Sequence, residues 1–502
     1  MNGELYLGID IGTSSSKGVL MDRCGKVVRS AQISHVTANP RPGWYEHDAE
    51  EIWYGECVRL CRELCTVGDI GDRVAAMAVS GIGPCVVPVG SDGRALRSAI
   101  LYGIDSRAGK QINELTDWCA RQGIPAAFDS QSVLPKILWL CENEPEVWEQ
   151  TRWIAGCGGY ITFRLCGKMV VDRYEAGCYA PARWLGSAEA WDTTLLNELG
   201  SDVVSRLAGV DVVPSTTVVG YLTHDAAADT GLSEGMPVVA PTIDAAAEAT
   251  SAGVTHPGDV MVMYGSTGFF IALSSDASSG RSEKPDRAAE HQWRSEFLEP
   301  GQFSLAGGTN TLGTYVTWLM DMLRIESFEK LAELAESSVP GANGVLALPY
   351  LAGERTPLFD PELTAGFLGC RSTTSRADIL RAGLEGLAYG VRNALESMEI
   401  GDDATLYAVG GGTRNHVLLQ TVSDVTGLEQ HVPKQTIGAS LGNAMRAAVG
   451  VGRFGDLSQI SAQLEYADTI RPRSQYEVIH NTRFGLYRDL TRATQEISHR
   501  LR

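Results

Sequence analysis

Long apolar runs are missing from this sequence, and so are blocks of basic residues, paired cysteines and the two commonest nucleotide-loop motifs. No stretch approaches the roughly 20 consecutive apolar residues of a membrane-crossing helix, although hydrophobic residues make up 44% of the 502-residue chain and charged residues 21%. A membrane partner is therefore not expected. Met1 to Asp10 lack the basic, apolar and small-residue succession of a signal peptide, so the cytoplasm is the default expectation. The formal net charge is −19, with no compensating Lys/Arg block. Such a surface repels a phosphate backbone, so nucleic acid is not an expected partner either. An anionic nucleotide would have to be held by local devices: backbone N–H groups, helix N-termini and a metal ion.

Eleven cysteines, an odd number with no Cys-x-x-Cys pair, in a chain far larger than a disulfide scaffold, read as reduced thiols. Cys57, Cys61 and Cys65 recur at helical spacing. A soft-metal site is one reading, and a helix face packing small apolar thiols is the favoured one. Gly103 to Lys110 superficially resembles a phosphate-binding P-loop, but five residues separate its glycines and Gln111 stands where Ser or Thr should bind the metal. Gly81-Ile82-Gly83 follows a strand, yet Val86 occupies the place of the third dinucleotide-fold glycine.

What is present is an alternation of β-rich stretches with amphipathic helical patterns, the signature of α/β architecture. At this length two large domains with a cleft between them are expected. Leu5 to Ile11 reads as a strand, Gly12 to Ser16 as a turn and Lys17 to Met21 as the next strand. The arrangement returns at Asp259 to Tyr264, Gly265 to Gly268 and Phe269 to Leu273, as though the halves were copies of one plan. The boundary falls between about Ala249 and Gly258, where Gly, Pro and small polar residues end a helix.

The turn Gly8-Ile9-Asp10-Ile11-Gly12-Thr13-Ser14-Ser15-Ser16-Lys17 packs N–H and O–H donors closely, as phosphates require. Asp10 would repel phosphates unless Mg²⁺ lay between them, and Lys17 adds positive charge nearby. An ordinary hairpin turn is the plainer alternative. A second such turn at Gly265-Ser266-Thr267-Gly268 strengthens the phosphate reading. So does Leu406 to Val409 running into Gly410-Gly411-Gly412, with Asn415 to Leu428 in helical periodicity beyond. Phosphoryl transfer to an alcohol also calls for a carboxylate base. Asp244, between the β-rich run Met236 to Thr242 and an alanine-rich helix, could be that base or simply a helix N-cap.

These residues carry a resemblance. The sequence is similar to the FGGY carbohydrate kinases of the actin-like ATPase superfamily, nearest their xylulokinase branch. The likeness runs from Gly8-Ile-Asp-Ile-Gly-Thr13 through Gly43-Trp-Tyr-Glu-His-Asp48 and Pro349-Tyr-Leu-Ala-Gly-Glu-Arg-Thr-Pro357 to Gly438-Ala-Ser-Leu-Gly442. Lys136 to Asn143 resembles the second half of one family signature. Gly366 to Gly369 with Asp378-Ile379 and Ala382 to Glu385 resembles the other, with Cys370 and Gly383 departing from it.

The resemblance implies two actin-like (ribonuclease H-like) α/β domains: 1–250, carrying sugar, first phosphate loop and base, and 251–502, carrying ATP. It implies Mg²⁺ at Asp10, phosphates at Gly12, Thr13 and Ser14 with Lys17 nearby, and Asp244 as catalytic base. It further implies Gly265, Ser266 and Thr267 toward the γ-phosphate, Thr311 with its neighbours 308–310 near the phosphates, and Gly410, Gly411 and Asn415 beside the adenosine. Gly81, Ile82, Asp105, Arg107 and Asp244 would meet the substrate.

Departures cluster at the sugar side. Ser80-Gly81-Ile82-Gly83 stands where xylulokinases show Gln-Met-His-Gly, Tyr102-Gly103-Ile104-Asp105-Ser106-Arg107 stands for Trp-Asn-Asp-x-Arg, and Ala245 follows the base. Asp105 and Arg107 could instead be a structural ion pair, and Trp44 and His47 either cleft-lining or core. The implied activity is ATP-dependent phosphorylation of a small sugar, a pentulose such as D-xylulose foremost. A gluconate, polyol or other ketose kinase and a non-catalytic actin-like nucleotide-binding protein are the alternatives. A homodimer is the prior for oligomeric state.

Overall fold

A computed structural model describes residues 3–66, 70–122, 128–179, 191, 201–207, 209–275, 293–435 and 437–501. Its contacts divide the chain into two units. One comprises Met1–Thr255, Arg294–Phe303 and Ile437–Leu464, and the other His256–Trp293, Ser304–Thr436 and Glu465–Arg502. A single boundary near residue 250 was expected; the contacts also return 294–303 and 437–464 to the first unit.

The first unit is built on β1 (Leu5–Ile11), β2 (Ser15–Asp22), β3 (Val27–Ser34), helix α1 (Gly55–Cys65), β4 (Val74–Gly81), β5 (Val218–Tyr221), β6 (Pro237–Val239), β7 (Thr242–Ile243) and helix α2 (Asp244–Ala252). The sheet runs β5-β6-β4-β1-β2-β3, with β7 also pairing β4. β1 pairs antiparallel with β2 and parallel with β4, and β2 pairs antiparallel with β3. β1 is buried along its whole length, as a strand covered on both faces must be. The β-rich run 236–242 resolves into two short strands, β6 and β7, separated at Ala240-Pro241.

The second unit repeats the plan with β8 (Asp259–Tyr264), β9 (Gly268–Ser274), β10 (Phe303–Thr309), α3 (Gly313–Leu323), α4 (Arg376–Ser397), β11 (Thr405–Val409), α5 (His416–Thr426), β12 (Glu429–Pro433) and β13 (Tyr466–Ile470). Its strands run β10-β9-β8-β11-β12-β13. Here too a hairpin, β8 against β9, adjoins two parallel pairings and a final antiparallel one. Tyr264, Phe270, Tyr315, Leu384, Tyr389 and Leu419 belong to one buried core in this unit.

A helix from the C-terminal part, α6 (Ala439–Gly450), packs on β1 and on α2 in the first unit. Its approach is close because Gly442 has no side chain: a Cβ there would sit 2.0 Å from the carbonyl oxygen of Ala247. In α1 the buried face carries Cys57, Leu60, Cys61 and Leu64. The thiol spacing therefore marks packing, and among the described residues no three His, Cys, Asp or Glu side chains gather to hold a metal. No described helix is long and apolar enough to cross a membrane.

Candidate active site

In the first unit two elements contribute carboxylates, β1 with Asp10 and α2 with Asp244 and Glu248. Asp10 is the penultimate residue of β1, opposite Lys17 of β2 and Ser80 of β4. Its Oδ1 accepts a 2.7 Å hydrogen bond from Ser80 Oγ. Asn443 of α6 donates from Nδ2 to Ile9 O and to Ser80 Oγ, each at 2.7 Å, and its Oδ1 accepts from Arg446 Nη1 at 2.7 Å. Arg446 is fully buried and also donates to Ser215 O at 2.8 Å and to Ala240 O. A chain of donors thus runs from Arg446 to Asp10 and sets the orientation of that carboxylate. Burial pushes Asp10 up to about 6, against the hydrogen bond from Ser80 and the charge of Lys17.

Asp244 is the first helical residue of α2, and Ile243 occupies the cap position. Among the described residues its Oδ1 accepts from the adjacent Ala245 N–H alone, at 2.7 Å, so helix capping does not account for it. The residue keeps part of its surface open. Burial of its carboxyl group, then the charges of Asp10 and Glu248, raise it well above the usual carboxylate range. Glu248, one turn further along α2, is pushed up to about 7 by burial and by Asp10, against Lys17. The three acids thus resist ionising together, which a proton acceptor exploits, although among the described residues they do not gather closely enough to form a three-acid metal cluster. Only Asp10 and Asp244 stood out in the sequence. The i, i+4 spacing of Asp244 and Glu248 was the available signal for Glu248; no local signal marks Asn443, 433 residues from Asp10.

At the β1–β2 turn Gly12 N–H donates to Ser15 O at 3.0 Å. Thr13 Oγ1 lies 2.9 Å from the hydroxyl of Tyr102, a residue whose own hydroxyl is raised by burial, Asp244 among the causes. Tyr102 therefore ties the turn to the segment expected to face substrate. Gly81 ends β4 against Cys157, and Ile82 is buried, its N–H donating to Ile11 O at 2.8 Å.

Asp105 and Arg107 face each other within that segment. Arg107 Nη2 donates to Asp105 Oδ2 at 2.8 Å and Nη1 to Glu46 at 2.8 Å, while Asp105 Oδ2 accepts from Tyr45 N–H at 2.7 Å. The guanidinium lies 4.2 Å from the Trp44 ring centre and 5.1 Å from that of Trp139, with no side-chain exposure. His47 is buried as well.

The second unit holds a cavity of about 740 Å³ lined in part by Gly265, Ser266, Gly313, Phe328, Gly411 and Asn415. The β8–β9 turn forms one wall. Its carbonyls are turned toward the start of α3, where Gly313 N–H donates to Gly265 O at 2.9 Å and Leu312 N–H to Ser266 O at 3.0 Å. Ser266 and Thr267 are exposed. The glycine turn after β11 forms another wall: Gly410 has φ of +93° and its Cβ position lies 2.9 Å from Tyr264 O, so a side chain would be both strained and obstructed. Asn415 caps α5 by accepting from Leu418 N–H at 3.1 Å. Its buried Nδ2 has no hydrogen-bond partner among the described residues. Thr311 is buried and donates to Pro349 O at 2.7 Å. The cavity thus brings together Gly265, Ser266, Gly411 and Asn415 of the residues expected at the nucleotide, Gly410 adjoins it, and Thr311 commits its hydroxyl to the backbone.

Two family models match the chain: the FGGY family of carbohydrate kinases, N-terminal domain, over residues 5–250, and the C-terminal domain of the same family over 260–451. A xylulose kinase of Staphylococcus epidermidis is 27% identical, covering 99% of this chain and 98% of the relative. A xylulose kinase of Bacillus subtilis is also 27% identical over 99% and 98%. The crystal structure of xylulose kinase from Rhodospirillum rubrum superimposes with a TM-score of 0.88 at 27% identity, covering 99% of this chain and 100% of that one.

Proposed function

The chain belongs to the FGGY family of carbohydrate kinases, and from that premise we propose that it transfers the γ-phosphoryl group of ATP to a hydroxyl of D-xylulose, with Asp244 as the base. That it is an ATP-dependent sugar kinase follows from the family. The choice of xylulose is supported by full-length relatives that are xylulose kinases, although a gluconokinase is also among the full-length relatives. We assign sugar and base to the 1–250 portion and nucleotide to the 251–502 portion, and place the enzyme in the cytoplasm, where ATP is available.

The observation that carries the mechanism is Asp244 itself: a carboxyl group at the start of α2, free of capping duty and raised by its burial, then by Asp10 and Glu248. Such a group accepts the proton of an attacking hydroxyl as the new O–P bond forms and the bond to the ADP oxygen breaks. The sugar oxygen gains the phosphoryl group, Asp244 gains the proton, and ADP leaves with the bonding pair. The hydroxyl and N–H groups of Thr13 and Ser14 would donate to phosphate oxygens, with Lys17 supplying positive charge. In the second unit Gly265, Ser266 and Thr267 would do the same, and Gly410, Gly411 and Asn415 would border the adenosine, the unsatisfied Asn415 Nδ2 offering it a donor. Mg²⁺ commonly keeps its waters and phosphate ligands and takes only one or two protein carboxylates. Asp10, oriented by Ser80 and crowded by Asp244 and Glu248, fits that requirement and would hold the ion, which when bound neutralises phosphate charge.

A second reading concerns the acceptor. Gly81, Ile82, Gly103 and Ala245 present no polar side chain where hydroxyl partners were expected, and Asp105 and Arg107 are committed to each other and to Glu46. This favours a sugar held by few side-chain contacts, and keeps a sugar acid, a polyol or another ketose in play.

The test is ADP release with Mg-ATP across ketoses, aldoses, polyols and sugar acids, with Asp244→Asn beside the wild type. D-Xylulose should stimulate turnover most, and the substitution should lower it by about 10³-fold or more, the range lost when a general base is removed. Stronger stimulation by another compound would reassign the substrate. Stimulated turnover surviving in Asp244→Asn would remove the base assignment.

A further inference from the structure

We infer that Thr37 and His35 are positioning residues: they hold three successive carbonyls of the turn at 12–14 and so aim its free N–H groups at the phosphates of ATP. The inference rests on the reading of this turn as a phosphate site, and its geometry lies wholly within the first unit.

Gly12 O accepts from His35 Nε2 at 3.1 Å, Thr13 O from Thr37 Oγ1 at 2.7 Å, and Ser14 O from His35 N–H at 3.0 Å. In a trans peptide the carbonyl and the following N–H point in opposite directions. Drawing these carbonyls to the 35–37 segment therefore turns the N–H groups that follow them to the other side. Those of Thr13 and Ser14 have no hydrogen-bond partner among the described residues, leaving two adjacent donors open to an anion.

Each clamp is itself braced. Trp53 Nε1–H donates to His47 Nδ1 at 3.2 Å, so the ring hydrogen of His47 resides on Nε2, 3.0 Å from Thr37 Oγ1. The Thr37 hydroxyl accepts there and is left to donate to Thr13 O. Burial holds His47 down at about 4, so this neutral tautomer persists at ordinary pH. His35 Nδ1 faces Glu56 Oε2 at 2.8 Å, an acceptor that Ser16 Oγ also reaches at 2.5 Å, while Arg59 pairs with Glu56 Oε1 at 3.2 Å. The two histidine rings meet edge to face with centres 5.0 Å apart. Every link runs away from the open face of the turn, which is the arrangement of a brace and not of a ligand contact.

The experiment measures affinity for AMP-PNP and for AMP, with the thermal midpoint, in wild type, Thr37→Val, Thr37→Ser, His35→Phe and Gly12→Ala. Thr37→Val keeps the volume and removes the donor. It should weaken AMP-PNP by about fivefold to tenfold, the range for loss of one hydrogen bond's orienting effect. AMP, which lacks the β- and γ-phosphates, should bind unchanged, the thermal midpoint should hold, and Thr37→Ser should restore affinity. His35→Phe gives the same result by an independent route should the valine variant fail to fold. In Gly12→Ala a Cβ meets Ser15 O at 2.8 Å and distorts the turn directly. If Gly12→Ala weakens AMP-PNP while Thr37→Val and His35→Phe do not, the brace is refuted and the phosphate turn stands. If none of the three affects AMP-PNP, the phosphate reading of the turn has failed and the brace with it. Equal losses for AMP-PNP and AMP accompanied by a lowered midpoint would mean a structural role only, and also overturn the inference.

Discussion

Glu248 contributes to this site without an evident substrate contact, and its effect can be isolated. Its charge is one of the three influences that raise Asp244, after burial and after Asp10. A base works only when ionised, so turnover falls as pH falls through the pKa of Asp244. Removing the charge at 248 lowers that pKa, and Glu248→Gln should therefore move the acid limb of the kcat/KM profile to lower pH. Stability supplies an independent check. The folded-state pKa of Glu248, about 7, lies above the ordinary 4.5; its contribution to stability is full below about 4.5 and is lost as pH rises toward 7. The glutamine variant should be more stable than the wild type at neutral pH and gain nothing at pH 4, read as the difference in urea midpoint. Asp10 and Asp244 were legible because an acid beside a glycine and hydroxyl turn, or between a strand and an alanine-rich helix, is locally conspicuous. Ser80, Asn443 and Arg446 were not, because their part in the site is made by tertiary contact alone.

At the scale of elements, β1 and β8 match their sequence readings residue for residue, Leu5–Ile11 and Asp259–Tyr264. Both are central strands bounded by turn residues, and both are almost wholly buried, so apolar pattern and punctuation agree. The helix expected from Asn415 to Leu428 spans His416–Thr426 and stops where Gly427 takes the left-handed conformation. Its start shows how one residue can serve the element and the ligand at once. Asn415 Oδ1 caps the helix while Nδ2 is left unsatisfied beside the cavity. Asn415→Ser retains a capping oxygen and removes the amide donor, so the affinity for ATP should fall by about fivefold with little loss of stability. Asn415→Ala removes both, and should cost about 1 kcal/mol of stability beyond the serine variant. Calorimetric titration and chemical denaturation of the pair check the separation; equal ATP affinity in the serine variant and the wild type would leave Asn415 a cap and nothing more.

For the molecule as a whole, periodicity revealed two copies of one plan but not the chain's return to the first unit at 294–303 and 437–464. The helix at 439–450 is marked in the sequence only by the motif at 438–442; what it packs against depends on small residues meeting small residues, Gly442 over Ala247, which carries no directional signal along the sequence. Net charge is legible without any structure, and it yields a prediction that local contacts do not. The chain carries −19, Mg-bound ATP remains anionic, and the residues lining the second unit's cavity include Asp321 but neither Lys nor Arg. Association therefore proceeds against the average field and depends on N–H donors and short-range contacts. Raising ionic strength from about 0.01 to 0.15 M shortens the screening length from about 30 to 8 Å. That weakens the long-range repulsion more than it weakens contacts at hydrogen-bond distance, so the KM for ATP should fall, by about twofold, while the KM for an uncharged sugar stays level. Initial rates at fixed free Mg²⁺ over that salt range decide the point. A KM for ATP that climbs with salt would mean that basic side chains, Lys17 foremost, hold the phosphates more strongly than the N–H groups of the turns.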